Sequence, residues 1–484
     1  LIENSNQPSL DIAIIGGGYC GVLVAVHLMR KHQQSKSSRL LNISIVKGAE
    51  QLARGAAYGT KCPYHLLNVP AEGMSALADE PEHFLDWLRN INPGVSPQGF
   101  VSRSLYGNYI QSLFEETVAN NPDSVKLSIV EERAAGVAVR GAKAELFFVS
   151  GKSLVADKVV LALGNFLPSD TALSAWFDTC PERLHKDPWA ADALSGIKPQ
   201  DNVLLVGTGL TMMDIVIQLR SLEHEGRLIA VSRHGYTPTT HKLFHRLENL
   251  PTAEQLLPGQ FSRNVLKLFR DIRICAQSAP DWRLVINALR PHTQSIWKSL
   301  DSAERRRFLR HVRPIWDVLR HRCAASFAHE IDTLRQNGKL AVIAGRITDI
   351  RHEEDAIEVE ISPRGSKTHV GMSVDHVINC TGPATDFRTS KFPLIVSLRD
   401  HGLIKPDQLG MGIEVAEDFA VIGQDGQAST VLFALGSLLK GALWETTAVP
   451  ELRQQAKQVA DSVLTAVSEQ VFTPQSAAVD VNPL

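Results

Sequence analysis

The chain has 484 residues, 44% hydrophobic and 21% charged, a globular composition that excludes fibres and disorder and suggests about three domains at roughly 150 residues each. Fifty Lys and Arg against 52 Asp and Glu leave a formal net charge of −2, so nothing global points to nucleic acid or an anionic membrane. Six cysteines without a CxxC and without a close Cys/His pairing that reads as a zinc site disfavour a disulfide framework, a dithiol centre and a zinc site, and no metal is expected. The apolar stretches 21–29 and 431–439 fall short of the ~20 residues of a spanning helix, and the strand pattern at 10–15 leaves no space before it for a signal peptide. The cytoplasm is the expected compartment.

Residues 10–15 read as a strand that enters Gly16-Gly17-Gly18-Tyr19-Cys20-Gly21 and then an apolar helix pattern at 22–28. GxGxxG between a strand and a helix marks a dinucleotide turn. Gly16 permits the tight turn, Gly18 lets the backbone approach a pyrophosphate, and Gly21 allows close helix packing, with the helix N-terminus facing the phosphates. Tyr19 and Cys20 fill the variable positions. After the second strand, 43–46, Lys47 stands where an acidic residue normally grips the adenosine ribose. Either Glu50 reaches back to the ribose, or backbone and water hold it; Lys47 either favours a nearby phosphate or is solvated. Further on, Asn68, Pro70 and Met74 have the amide and apolar chemistry to wall a planar cofactor ring, the alternative being a core loop. A strand at 158–163 closes this unit at Gly164.

The pattern then recurs. A strand at 202–206 enters Gly207-Thr208-Gly209-Leu210-Thr211, with Met212 at the place of the third glycine, and a helix pattern continues to 219. The next strand, 228–231, ends in Ser232-Arg233-His234-Gly235, and an arginine there is where a 2′-phosphate is recognised, which selects NADPH over NADH. A surface salt bridge is the alternative use of Arg233. His241 lies a few residues beyond, either between nicotinamide and substrate or in a structural role. The second copy closes at 376–380 with Thr381-Gly382. The glycine turns are 191 residues apart and the closing glycines 218 apart, so the second copy carries about 27 additional residues. Strand, glycine and helix patterns resume after it, at 423–464. The expectation is therefore an α/β fold of two Rossmann-like domains, the second inserted in the first. Residues 1–195 and 386–470 would form one domain, 196–385 the other with a helical insert at about 245–335, and 471–484 a frayed tail.

Pro251, Pro258, Pro280 and Pro291 divide the insert into several helices. Between 301 and 330 seven arginines face four acids, and Arg310, Arg313, Asp317 and Arg320 recur at helical spacing around Trp316, with Pro314 starting or kinking the helix. Bidentate arginine suits a substrate carboxylate or a cofactor phosphate, so Arg290, His292, Arg313, Trp316 and Arg320 are candidate substrate residues; a solvated helix face is the alternative. Near the C-terminus, Gly436 and a helix-starting segment around Glu445, Thr446 and Thr447 would aim N–H groups at a bound cofactor ring and stabilise negative charge on it.

Residues 14–21, Gly55-Ala56-Ala57-Tyr58-Gly59-Thr60, His65 to Ala71, Met74-Ser75-Ala76, Phe100-Val101, Arg103 and Tyr106-Gly107 resemble the flavoprotein family known as FAD/NAD(P)-binding proteins. Residues 207–214, 232–235 and 379–383, Gly436 with Gly441, and Trp444 to Glu451 continue the resemblance, which spans about 10–464. It implies a glutathione-reductase-like FAD domain with an inserted NAD(P)H domain, similar to class B flavin monooxygenases and amino-acid N-hydroxylases, among them an aspartate N-monooxygenase and a urate hydroxylase. Lys47 departs from the family's acidic residue. The expected activity is that of an FAD-dependent, NADPH-using monooxygenase that hydroxylates a nitrogen or electron-rich carbon of a small anionic substrate with O2 through a C4a-hydroperoxyflavin. A flavin oxidoreductase with another acceptor and a non-catalytic flavin sensor are the alternatives. His241 and Asn68 are the expected catalytic residues. Arg103, Gly164, Gly436 and the residues of the first turn are assigned to FAD, and Gly207, Gly209, Leu210, Thr211, Ser232, Arg233, Thr381 and Gly382 to the second dinucleotide.

Overall fold

The structure, a computed structural model, describes residues 9–167, 176–190, 192–242, 261–353 and 356–471. Pro251, Pro258, the start of the expected insert and the expected tail beyond 471 lie outside these residues. Two large sheets organise the chain.

The first sheet has the order Ala420–Ile422, Ala428–Ala434, Lys158–Leu161, Ser9–Ile15, Leu40–Lys47, Val125–Glu131. Its strands run parallel except the edge strand Ala420–Ile422. Lys158–Leu161 is buried along its whole length, as expected of a parallel strand covered on both faces. The helices Tyr19–Ser35 and Val449–Val471 pack together over this sheet. A three-stranded antiparallel sheet, Ala134–Arg140, Lys143–Phe148 and Ser153–Ala156, carries the helix Pro393–Asp400.

The second sheet has seven strands, in the order Val370–Val374, Ile357–Pro363, Leu340–His352, Leu228–Ser232, Val203–Val206, His376–Asn379, Leu184–His185. After it closes, Ala428–Ala434 returns to lie parallel beside Lys158–Leu161, with Leu432 opposite Val159. The second Rossmann-like domain is thus inserted in the first. Entry and exit are adjacent: Phe166 and Ala384 form an antiparallel bridge in which the Ala384 N–H donates to the Phe166 carbonyl at 3.2 Å. The edge strand Leu184–His185 precedes residue 196, so the second unit takes in chain upstream of the expected boundary. Two residues carry no periodicity from which to foresee such a strand.

The insert is a run of short helices: Val265–Ser278, Trp282–Leu289, Thr293–Ser299, Ser302–Arg307, Arg313–Arg320 and Ala325–Gln336. Asn264, Asp281 and Asp301 cap three of them by accepting from the N–H groups of Lys267, Arg283 and Glu304. Pro280 stands between the first two helices, and Pro314 occupies the first turn of Arg313–Arg320. The insert docks on the C-terminal segment of the first domain, where Trp297 stacks on Trp444 at 5.1 Å and donates to the Gly441 carbonyl. No helix among the described residues is long and apolar enough to cross a membrane.

Candidate functional site

The two glycine turns are built alike. Gly16 has φ +117° and Gly207 φ +118°, and their N–H groups donate to the carbonyls of Val46 and Val231, both at 2.8 Å. A Cβ on Gly16 would lie 2.2 Å from the Ala162 carbonyl oxygen, and one on Gly207 2.5 Å from that of Cys380. Each turn is pressed against the chain just after its closing strand, where only glycine fits. A Cβ on Gly21 would meet the Gly16 oxygen at 1.9 Å. The helices after these turns, Tyr19–Ser35 and Leu210–Ser221, have glycine N-caps, Gly18 and Gly209, and no side chain caps them. Their first-turn N–H groups therefore lack a side-chain acceptor, as a bound phosphate requires. Nothing lies within 4 Å of a Cβ built on Gly209, which leaves the approach to Leu210 and Thr211 open. The cradles fit the pyrophosphates of two dinucleotides.

Around the first turn, Lys47 pairs with Glu131 on the neighbouring strand at 2.8 Å, while Glu50 Oε1 lies 3.5 Å from the Gly17 nitrogen. Tyr19 is buried with its hydroxyl unpartnered, against Tyr58 and Tyr106, and burial pushes the Cys20 thiol up to about 12. Gly164 accepts from the Ser437 hydroxyl, and the neighbouring Gly436 (φ +80°) donates to Gln455 at 3.0 Å and accepts from Thr446 at 2.9 Å. Met74 is buried, and Asn68 and Pro70 are half-buried on the loop leading to it. The C-terminal expectation needs correction: the helix starts at Val449, with Pro450 in its first turn, so Glu445, Thr446 and Thr447 precede it. The Glu445 carboxylate turns to the helical insert, accepting from Trp316 Nε1 at 3.1 Å, and Thr447 is exposed.

Around the second turn, the hydroxyls of Thr208 and Ser232 bond at 2.8 Å, and Ser232 accepts from the Gly235 N–H. Arg233 is exposed and forms no ion pair among the described residues. Its neighbours come from far along the sequence. Arg364 reaches His234 at 3.1 Å, and burial, then Arg364, Arg233 and Arg346, hold the His234 pKa below its ordinary value. Arg364 thus lies at the strand end near Arg233, and the charge of Arg346 acts on the same histidine. Thr381 donates to Asn379 at 2.7 Å, and Gly382, with φ +90°, faces open space.

Between the domains, His241 Nε2 lies 2.9 Å from the Asn68 carbonyl oxygen, so the two expected catalytic residues meet, through the backbone of Asn68. Burial, reinforced by Arg322, Arg320 and Arg283, lowers the His241 pKa to about 4, leaving a neutral ring that donates from Nε2. Arg322 is 4% exposed, donates to the Leu319 carbonyl and Asn287, and forms no ion pair among the described residues. Burial and the neighbouring Arg283 and Arg320 push it down to about 10.

The arginines expected to bind substrate are mostly matched to the chain's own acids. Arg290 binds Glu451 bidentately at 2.9 and 3.1 Å, Arg320 lies 3.5 Å from Glu445 and 3.8 Å from Glu451, and Arg313 pairs with Asp317 at 3.3 Å. His292 packs on Phe261, and Trp316 is held by Glu445. Glu445 and Glu451 lie far along the sequence, so a local charge count overstated the available positive charge. Arg103 also differs from expectation: it pairs with buried Asp214 at 2.7 Å across the domain boundary. Burial outweighs that pull and raises Asp214 to about 6. Among the described residues no group of three His, Cys, Asp or Glu is arranged to hold a metal ion.

The cradles and the nested sheets define a protein with two dinucleotide-binding domains, and residues 13–166 match the family described as FAD-NAD(P)-binding. Over 98% of its length the chain is 22% identical to an uncharacterized protein of Mycobacterium tuberculosis, covering 99% of that protein. It is 30% identical to nitrosuccinic acid synthase of Aspergillus oryzae over 141 residues, 28% of this chain and 22% of that enzyme. Among solved structures, L-lysine 6-monooxygenase from Pseudomonas syringae superposes with a TM-score of 0.66 at 17% identity, over 95% of this chain and 100% of that one. Ornithine hydroxylase from Pseudomonas aeruginosa gives 0.64 at 14% identity, over 95% and 100%. The chain shares its fold with these two enzymes.

Proposed function

We propose that the protein is an FAD-dependent, NADPH-using monooxygenase that hydroxylates a nitrogen or electron-rich carbon of a small anionic substrate. The observation that carries this reading is the pair of like-built cradles at corresponding strand ends of two nested domains. Gly16, Gly18 and Gly21, with Gly164 and Gly436, would hold FAD; Gly207, Gly209 and the N–H groups of Leu210 and Thr211 would hold NADPH. Arg233, Arg346 and Arg364 supply the cationic cluster that a 2′-phosphate needs. Bound flavin supplies the redox chemistry, accepting a hydride and activating O2.

The chain's own contribution is placement, charge and exclusion of water. Neutral His241 fastens the loop at Asn68, and Phe100 packs on its ring at 5.3 Å. Arg322 gives this junction a positive charge suited to a carboxylate, while Arg283 beside it is paired with Asp281 at 3.3 Å. Two of the similar proteins are named as a lysine 6-monooxygenase and an ornithine hydroxylase, both acting on amino acids, and nitrosuccinic acid is itself a dicarboxylate with an oxidised nitrogen. FAD-loaded protein given NADPH, O2 and a panel of small acids, diamino acids and purines tests the reading. An acidic amino acid should stimulate NADPH oxidation with stoichiometric O2 uptake, leaving a product with one added oxygen atom, water and NADP+. Substrate-dependent NADPH oxidation without O2 uptake would overturn it.

A further inference from the structure

Arg103 opens the helix Arg103–Ala119, and its guanidinium straddles the boundary between the two domains. On the first-domain side its Nε donates to the Leu66 carbonyl at 3.1 Å, and its backbone N–H donates to the His65 carbonyl at 2.8 Å. On the other side Nη2 reaches Asp214 Oδ2 at 2.7 Å. Asp214 belongs to the helix Leu210–Ser221, which begins directly at the second glycine turn, and its side chain is 3% exposed. The same residue is held a second time through its main chain. His65 Nε2 lies 3.1 Å from the Asp214 carbonyl oxygen and Nδ1 2.8 Å from the Thr60 hydroxyl. Burial keeps His65 neutral, so Nε2 donates to Asp214 and Nδ1 accepts from Thr60. Trp189 packs against both, edge-on to His65 at 5.7 Å and under the Arg103 guanidinium at 5.5 Å. The loop that carries His65 and Leu66 continues to Asn68, where His241 makes a further bond across the boundary.

We propose that Arg103 and Asp214 are positioning residues: their ion pair fixes the helix of the second glycine turn against the loop 65–70 and so sets where a bound nicotinamide lies relative to a bound flavin. This rests on the two-cofactor reading of the cradles. The physical case is that a buried ion pair adds little net stability over an apolar contact of the same size, whereas a guanidinium fork bonded to both sides admits one registry. Hydride transfer is steep in that registry, because donor and acceptor must be held within about 3.5 Å and a displacement of about 1 Å costs on the order of a hundredfold.

The variant Asp214→Asn keeps the shape and removes the charge; Arg103→Lys keeps the charge and removes the fork, and serves if the first is poorly folded. Anaerobic mixing of the full-length, FAD-loaded protein with NADPH should show flavin reduction slowed at least tenfold at saturating NADPH, with NADP+ affinity within about twofold of the parent. In cofactor-free protein, amide exchange should rise in segments 60–70 and 210–221 and stay unchanged in the sheet centres. An unchanged reduction rate, unchanged exchange at both segments, or parallel loss of rate, affinity and melting temperature overturns the proposal. If the parent flavin is not reduced by NADPH, the functional reading fails, while the exchange measurement still decides whether the pair fixes the boundary.

Discussion

At Gly16 and Gly209 the same residue type is required for different reasons, and the difference is measurable. A methyl group on Gly16 collides with the Ala162 carbonyl, and its φ of +117° is one that other residues avoid, so substitution there damages the fold itself. Gly209 has an ordinary φ of −83° and empty space where a Cβ would stand. Replacing it by alanine should leave the melting temperature unchanged or raise stability by about 0.4–1 kcal/mol, because the unfolded chain loses freedom while no contact is lost. The cost should fall on the ligand, since the methyl group occupies the space through which a phosphate approaches the helix N-terminus. Calorimetric titration of Gly209→Ala should show NADPH binding weakened at least tenfold with FAD content unaffected. A loss of melting temperature as large as that of Gly16→Ala would contradict this account.

At the scale of elements, the helical insert and the C-terminal segment are joined by charge as well as by packing. Burial alone would raise the Glu445 pKa, yet Arg320, His321, Trp316 and Arg290 together hold it below its ordinary value. A carboxylate lowered on folding stabilises the native state above its unfolded pKa, and that contribution disappears as pH falls through the folded pKa. Glu445→Gln should therefore destabilise the protein at neutral pH, by less than the about 3–5 kcal/mol of a fully unpaired buried charge, because Arg320 keeps Glu451 at 3.8 Å. The difference from the parent in chemical denaturation should begin to shrink below about pH 4.5, where the unfolded carboxylate takes up its proton, and vanish only as pH falls through the lower folded pKa. None of this contact was legible in the sequence. The glycine turns were, because a backbone collision dictates the residue type within a few positions of the strand it ends. Gly16 could be read from spacing between a strand and a helix, and the second turn, weak by itself with Met212, fully buried in its own core, at the place of the third glycine, from the strand and arginine that follow it. Ion pairs obey no such local rule. Arg103 and Asp214 are 111 residues apart, and Arg290 and Glu451 161, so only the folded chain shows that these cations already have partners.

At the scale of the whole molecule, the topology makes the first domain discontinuous in sequence but continuous in its sheet. Ala428–Ala434 pairs with Lys158–Leu161 near the sheet centre, and Val449–Val471 covers Tyr19–Ser35, so the C-terminal part is structural material of the first domain. The chain leaves the first domain and rejoins it at a bridged pair of residues, Phe166 and Ala384. Joining residue 166 to residue 384 through two or three Gly/Ser residues therefore closes a gap that the backbone already spans, at little entropic cost. The shortened chain should fold cooperatively and keep its FAD site, because both flanks of the first cradle, the turn at Gly16 and the segment at Gly436, remain. It should melt below the parent, since excision strips Glu445, Glu451 and Trp444 of their partners on the insert. NADPH should neither bind it nor reduce its flavin, while dithionite should. Reduction of the shortened protein by NADPH at the parent's rate would place the nicotinamide site in the first domain and refute the division of labour between the two sheets. Failure to fold, judged by loss of near-ultraviolet dichroism, would show that the first domain needs the contacts made by Asp214 and the insert to hold its shape.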